Sequence, residues 1–254
     1  MSHAEKIRKI ALVNHIILAL GIIYIFHTGT LEWLFVGLIS WIIVMVLSVN
    51  VSLHRFISHR SFKTGPIREK FLKYISIICA FGSPFSWTAM HRYHHKTSGS
   101  KEDNQSPKNI GYIKAWLTMY DNISIPPTMI KDIISDKDYK FIHKNYFKIL
   151  FGYAALLYMI NPLIGIFVFS MPAVLCYQAA GAFAVIPHSK KFGYTVVENL
   201  RDDDSVNSPL ASILSVGEGW HNWHHTNPGD HRHGHRLWEF DPPAWIIEKF
   251  LMIK

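Results

Sequence analysis

The sequence predicts an all-α integral membrane protein: four transmembrane helices in two hairpins, with a helical cap carrying a histidine-rich site for two metal ions. Three observations lead there. Of 254 residues, 17% are charged and 49% hydrophobic, whereas an average soluble domain carries about 25% charged residues. Long apolar runs occur in two pairs. The chain has 16 histidines, and most fall in tight groups.

A helix needs ~20 mostly apolar residues to cross a bilayer. The first span covers about residues 10–27, with His15 inside it, and the second about 33–53, with no charge. The short turn between them makes a hairpin. A second pair is expected at 145–160 and 163–187, with Lys148 near its start. Asn161-Pro162 supplies the break, because proline removes a backbone donor and disfavours helix just before it. The N-terminus is basic, but the apolar run behind it is long, has no clear small-residue cleavage site and is followed by another span. It reads as a retained helix.

Residues 72–90 are apolar enough to tempt a fifth span, but Gly82-Ser83-Pro84 would break a helix there. The remainder, 54–144 and 188–254, forms the cap, with short interfacial helices expected near 113–120 and 243–253. Four spans put both termini on one side. The basic N-terminus and the basic long loop share that side, which the positive-inside rule makes cytoplasmic.

The formal charge is +8. The basic residues flank apolar spans and form no single cationic stripe, so nucleic acid is not the expected partner. Cys79 and Cys176 lie in apolar runs; they offer neither a disulfide framework nor a CxxC metal site and read as packing residues. His15 and His27 are likewise read as structural.

Three histidine groups stand apart: His54-Arg-Phe-Ile-Ser-His59, His91-Arg-Tyr-His94-His95 and His221-Asn-Trp-His224-His225. Imidazole is the commonest transition-metal ligand. His91 and His95, at i and i+4, share a helix face, while His94 sits about 100° round from His95. One pair can hold one metal while the third ring reaches another. The third group repeats the spacing. One zinc site needs about four ligands, so eight histidines suit two ions of higher coordination, with iron or copper both open. The clusters must meet, so residues 72–90 lie in the interface or dip in and return; a crossing would put His59 and His91 on opposite faces. Transporters place ligands near the midplane, whereas these sit at span ends, and an adaptor would need no such convergence.

The order and form of these groups resemble the membrane fatty acid desaturases, specifically the acyl-CoA, stearoyl-CoA-type Δ9 branch. Gly217-Glu218-Gly219 before the third group, Trp238-Glu-Phe-Asp-Pro242 after it and the HRxxxH first box carry the likeness, from about residue 33 to 248. The resemblance implies a mushroom-shaped helical fold with a cytosolic cap, two non-haem irons and a ninth ligand, His188. Carried over by position, one iron would take His54, His59, His91, His95 and His225, and the other His94, His188, His221 and His224. It implies O2-dependent removal of two hydrogens from a saturated acyl chain held as acyl-CoA or on another carrier. A hydroxylase on the same scaffold is the rival outcome.

No flavin, nicotinamide or haem fingerprint is present, so electrons come from an outside donor such as ferredoxin or a cytochrome b5-type protein. Asp103, Glu218 and Asn222 are expected to orient ligand imidazoles. Trp87, Trp220 and Trp223 are candidates for lining the substrate tunnel. The chain departs from the family in two places. Ala184 stands where an Asn would hold a water on the second iron, and Gln105 where many members have a His. His231, His233 and His235 read as surface histidines.

Overall fold

The computed structural model describes residues 2–103, 105–117, 125–198 and 203–253, and among them it is helical with no β-sheet. Helix α1, His3–Thr28, starts on a reciprocal cap between Ser2 and Glu5. It ends at Gly29, whose φ of +72° is the left-handed conformation that glycine adopts without a Cβ penalty. Helix α2, Glu32–Ser58, returns antiparallel. α1 begins about two turns before its expected span, and α2 runs on about one turn past its own.

Three helices are long and apolar enough to cross a membrane: α1, α2 and α6, Pro162–His188. The span expected at 145–160 lies within helix α5, Lys137–Ile160, which is not among them. Its first turns carry Lys137, Asp138, Lys140, Lys144 and Lys148. The uncharged remainder, 149–160, reaches only about 18 Å at 1.5 Å per residue. The break falls at Asn161-Pro162 as expected, with Asn161 Oδ1 accepting from Leu163 N–H. Leu12, Leu20, Ile23, Phe26, Phe35 and Ile39 on α1 and α2 all expose more than half their surface. Such an outward apolar belt marks a membrane protein.

Residues 72–90 do not form one helix. Helix α3, Pro66–Ile75, stops in turns, Gly82 takes φ +93°, and Ser83 caps helix α4, Pro84–Thr97. The expected helix near 113–120 is described as Tyr112–Leu117, and the rest of that expectation lies outside the described residues. In the tail, Pro242–Ile246 continues as a looser turn to Leu251. The main core packs α2, α4, α5 and α6 through Leu53, Ile57, Phe81, Ile142, Tyr146 and Phe169. Cys79 and Cys176 lie in it as free, buried side chains.

The histidine ends of the long helices are drawn together by polar groups. Arg92, inside the second histidine group, donates to the carbonyls of Ile57 and Ser58 and pairs with Asp132. It thereby satisfies terminal carbonyls of α2 that have no partner within the helix. His15 packs as a structural residue, with Nδ1 on the Ala11 carbonyl and Nε2 facing Gln178.

Candidate metal centre

The first histidine group depends on a change of winding. From Met45 to Ser58, α2 loosens into a π-helix, in which residue i bonds i+5. His59 N–H accordingly donates to the His54 carbonyl. An α-helix would turn these two residues well apart; here their rings come within 4.9 Å.

On α4 the rings of His91 and His95 are 4.6 Å apart and those of His91 and His94 6.5 Å. The third group sits on helix α8, His221–Thr226, which follows the short helix α7, Pro209–Ser215. Asn207 Oδ1 accepts from the Asn222 and Trp223 N–H groups at its start. There His221 and His225 are 4.1 Å apart, and His221 and His224 5.7 Å. Both helices therefore pair i with i+4, 40° apart, and turn i+3 away.

Nine imidazoles converge as two sets. Nitrogens of His54, His59, His91, His95 and His224 all lie within 4.8 Å of one another, as do those of His94, His188, His221 and His225. This corrects the expected partition: His224 and His225 exchange places, because i and i+4, not i and i+3, share a set on α8. The two boxes interlock. The second gives two rings to the first set and one to the second; the third gives one and two.

The donor set fits metal ions. His54 Nε2 lies 3.0 Å from His224 Nε2, which lies 3.0 Å from His95 Nε2; His59 and His91 approach to 2.7 Å, and His188 and His221 to 3.0 Å. Imidazole lone pairs facing one another at these distances repel unless a proton or a cation lies between them, and the convergence of several such nitrogens suits a metal ion. His225 Nε2 is buried with no hydrogen-bond partner, the state of a ligand atom. Burial, and then the neighbouring imidazoles, hold His91, His95, His221 and His224 well below the usual histidine pKa. They are neutral at pH 7, as ligation requires.

The outward nitrogens are held by carboxylates. Glu218 Oε2 is 2.7 Å from His54 Nδ1. Gly217 at φ +108° makes its turn, and a Cβ on Gly219 would meet Ser212 N at 2.0 Å, so both glycines are needed to present Glu218. Arg55 pairs with Glu218 and with Asp241. Asp103 is 3.1 Å from His94 Nδ1. Burial alone would lower His94; the Asp103 carboxylate outweighs it and raises His94 instead. Asn222 is used differently: its Oδ1 accepts from Val196 and Val197 N–H, tying that loop to α8.

Two functional neighbours were not anticipated. Asp203 bonds His225 Nδ1 at 2.6 Å and faces His188 Nδ1 at 4.0 Å. In the sequence it is one of three consecutive aspartates, which reads as a solvated loop. His233 is corrected from the surface to the interior: it is 1% exposed, 3.0 Å from Glu218, with its ring 4.4 Å from His224. His235 is exposed as expected, and His231 is half-buried against Glu248.

An apolar cavity abuts both sets, walled by Val49, Phe81, Trp87, Met90 and Phe183, with Ala184 and Gln105 also against it. Trp87 stacks on His91 at 4.8 Å. The other two tunnel candidates turn away: Trp220 donates to the Phe240 carbonyl, and Trp223 donates to Asp230 and packs on His235.

The pattern of the fatty acid desaturase family matches residues 31–239. An sn-1 stearoyl-lipid 9-desaturase from a Synechocystis species is 33% identical over 238 residues, covering 87% of this chain and 70% of its own. One from Anabaena variabilis is 30% identical over 246 residues, covering 93% and 87%. An acyl-CoA 5-desaturase from Anemone leveillei is 28% identical over 266 residues, covering 97% and 81%.

Proposed function

This chain belongs to the fatty acid desaturase family, and we propose that it introduces a double bond at the 9 position of a saturated acyl chain, using a non-haem di-iron centre held by the nine histidines. The observation that carries the reading is the convergence of those imidazoles, in sets of five and four, on an apolar cavity.

An acyl chain offers no acidic proton and no electrophilic carbon, so no side chain can open its C–H bond. When bound, iron supplies the activation of O2 that this requires. The substrate gives two hydrogens with their two electrons. An outside donor gives two more electrons, solvent gives two protons, and O2 leaves as two waters. The residues do the rest. Glu218, Asp103 and Asp203 fix the outer nitrogens so that the inner ones face the metals, setting tautomer and ring orientation. Trp87, Met90 and Phe183 keep water from the cavity and lay the chain beside the first set.

The net charge of +8 suits an acidic donor such as a ferredoxin or a cytochrome b5-type protein. Helix α5 completes a four-pass topology by local thinning of the bilayer around its short apolar half. Both termini and the metal centre then lie on the cytoplasmic side. An acyl-CoA would find Lys and Arg partners for its phosphates there. The names of the Synechocystis and Anabaena relatives favour a second carrier, a stearoyl chain on a glycerolipid.

Expression in a host lacking the activity, with gas chromatography–mass spectrometry of its acyl chains, tests the proposal. New 9-monounsaturated chains support it. Hydroxylated chains would move the activity to the hydroxylase, and unchanged chains with ferredoxin supplied would refute both. Membranes given labelled stearoyl-CoA, or stearoyl phospholipid without CoA, separate the carriers.

A further inference from the structure

We propose that the groove between α1 and α5 is a binding site for one anionic phospholipid, separate from the acyl cavity of the metal centre. The groove encloses about 510 Å³ and is walled by Ile10, Val13, Ile17, Phe147, Phe151 and Ala154, with Lys6 and Lys9 at one end.

Its chemistry is divided along its length. The polar groups near its floor are satisfied by one another: Ser170 donates to Asn14 Oδ1 and meets the Tyr158 hydroxyl at 2.7 Å, while Asn14 Nδ2 donates to the Ile10 carbonyl. The groove therefore offers an occupant apolar surface along its length and charge at one end. Lys6 Nζ lies 5.2 Å above the Phe147 ring, and Lys9 is exposed. Lys144, seven residues before Phe151 and so on nearly the same face of α5, is exposed at the same end. Among the described acidic groups Glu5 is near this end, and it is engaged in capping Ser2. An acyl tail along the aromatics with a phosphate among the lysines matches this division.

The occupant is a lipid, not a protein segment, because the groove opens onto the outward apolar belt. Val13, on its wall, exposes 52% of its surface, and its neighbours Leu12 and Ile16 expose 61% and 54%. In a bilayer that belt meets hydrocarbon.

Native mass spectrometry of the full-length protein, titrated with phosphatidylglycerol or phosphatidylcholine, tests this without reference to turnover. One phosphatidylglycerol should stay bound per chain. Two lysines near the headgroup should favour it over phosphatidylcholine by on the order of tenfold. K6Q/K9Q should remove that preference. Val13→Phe, on an exposed position that leaves the core untouched, should remove the adduct itself. Equal retention of the two lipids by the unsubstituted protein, or adducts unchanged in Val13→Phe, would overturn the proposal. So would a dimer that Val13→Phe converts to monomer, since the groove would then be a contact between chains.

Discussion

Asp203 Oδ2 stands 2.6 Å from Nδ1 of His225, whose Nε2 is buried with no hydrogen-bond partner. The same carboxylate faces His188 at 4.0 Å, so one residue holds one imidazole of the second set by a hydrogen bond and places its charge beside another. Replacing such a partner of a ligating histidine typically costs about 10–100-fold in metal affinity. Asp203→Asn is expected to release iron from the second set at chelator concentrations that leave the first loaded, measured as iron retained after dialysis.

Glu218 carries the equivalent duty for His54 and also faces Arg55, which is wholly buried. Removing one partner of a buried ion pair costs roughly 3–5 kcal/mol. Arg55 keeps Asp241, so Glu218→Gln should cost about 3 kcal/mol, the low end of that range. Denaturant unfolding in detergent reads this directly.

The interlocking of the boxes makes a paired expectation. His91→Ala and His224→Ala should weaken one iron, and His94→Ala and His225→Ala the other, although the members of each pair come from different helices. Metal content and spectra of the four variants would sort them. A pattern grouping His91 with His225 would restore the partition read from the sequence. His94→Ala and His224→Ala are each expected to abolish product while the protein stays in the membrane.

That partition marks where the sequence stopped being informative. The i, i+3, i+4 spacing is enough to divide each box between two sets of histidines, and the Asn161-Pro162 break is legible from proline alone. Which ring of the third box turns which way depends on how α8 approaches α4, and no spacing within the box encodes that approach. The π-winding that brings His54 onto His59 leaves no local signal either. By sequence alone His233 reads as one of three surface histidines. It is buried because Asp241 accepts the N–H groups of His233 and Gly234, a contact set by the fold of the tail. The charges of α5 are legible in the sequence, and the uncharged stretch they leave, 149–160, is shorter than a bilayer's hydrocarbon core.

The neutral histidines set a pH dependence for the metal-free protein. His91, His95, His221 and His224 have folded pKa values pushed down, first by burial and then by one another. The unfolded chain binds protons near pH 6.5 where the folded chain does not. Stability should be full above that pH and fall as pH drops below it, by up to about 1.4 kcal/mol per histidine per pH unit. Melting temperatures of chelated protein between pH 8 and pH 5.5 check the sign; a melting temperature that rose on acidification would contradict it.

The central claim is the metal centre, and metal analysis of the purified protein tests it most directly. Because nine converging imidazoles exceed the four-ligand complement of one zinc, about two iron ions per chain are expected. A single zinc, or iron that stays when His94 and His224 are both replaced by alanine, would contradict the account.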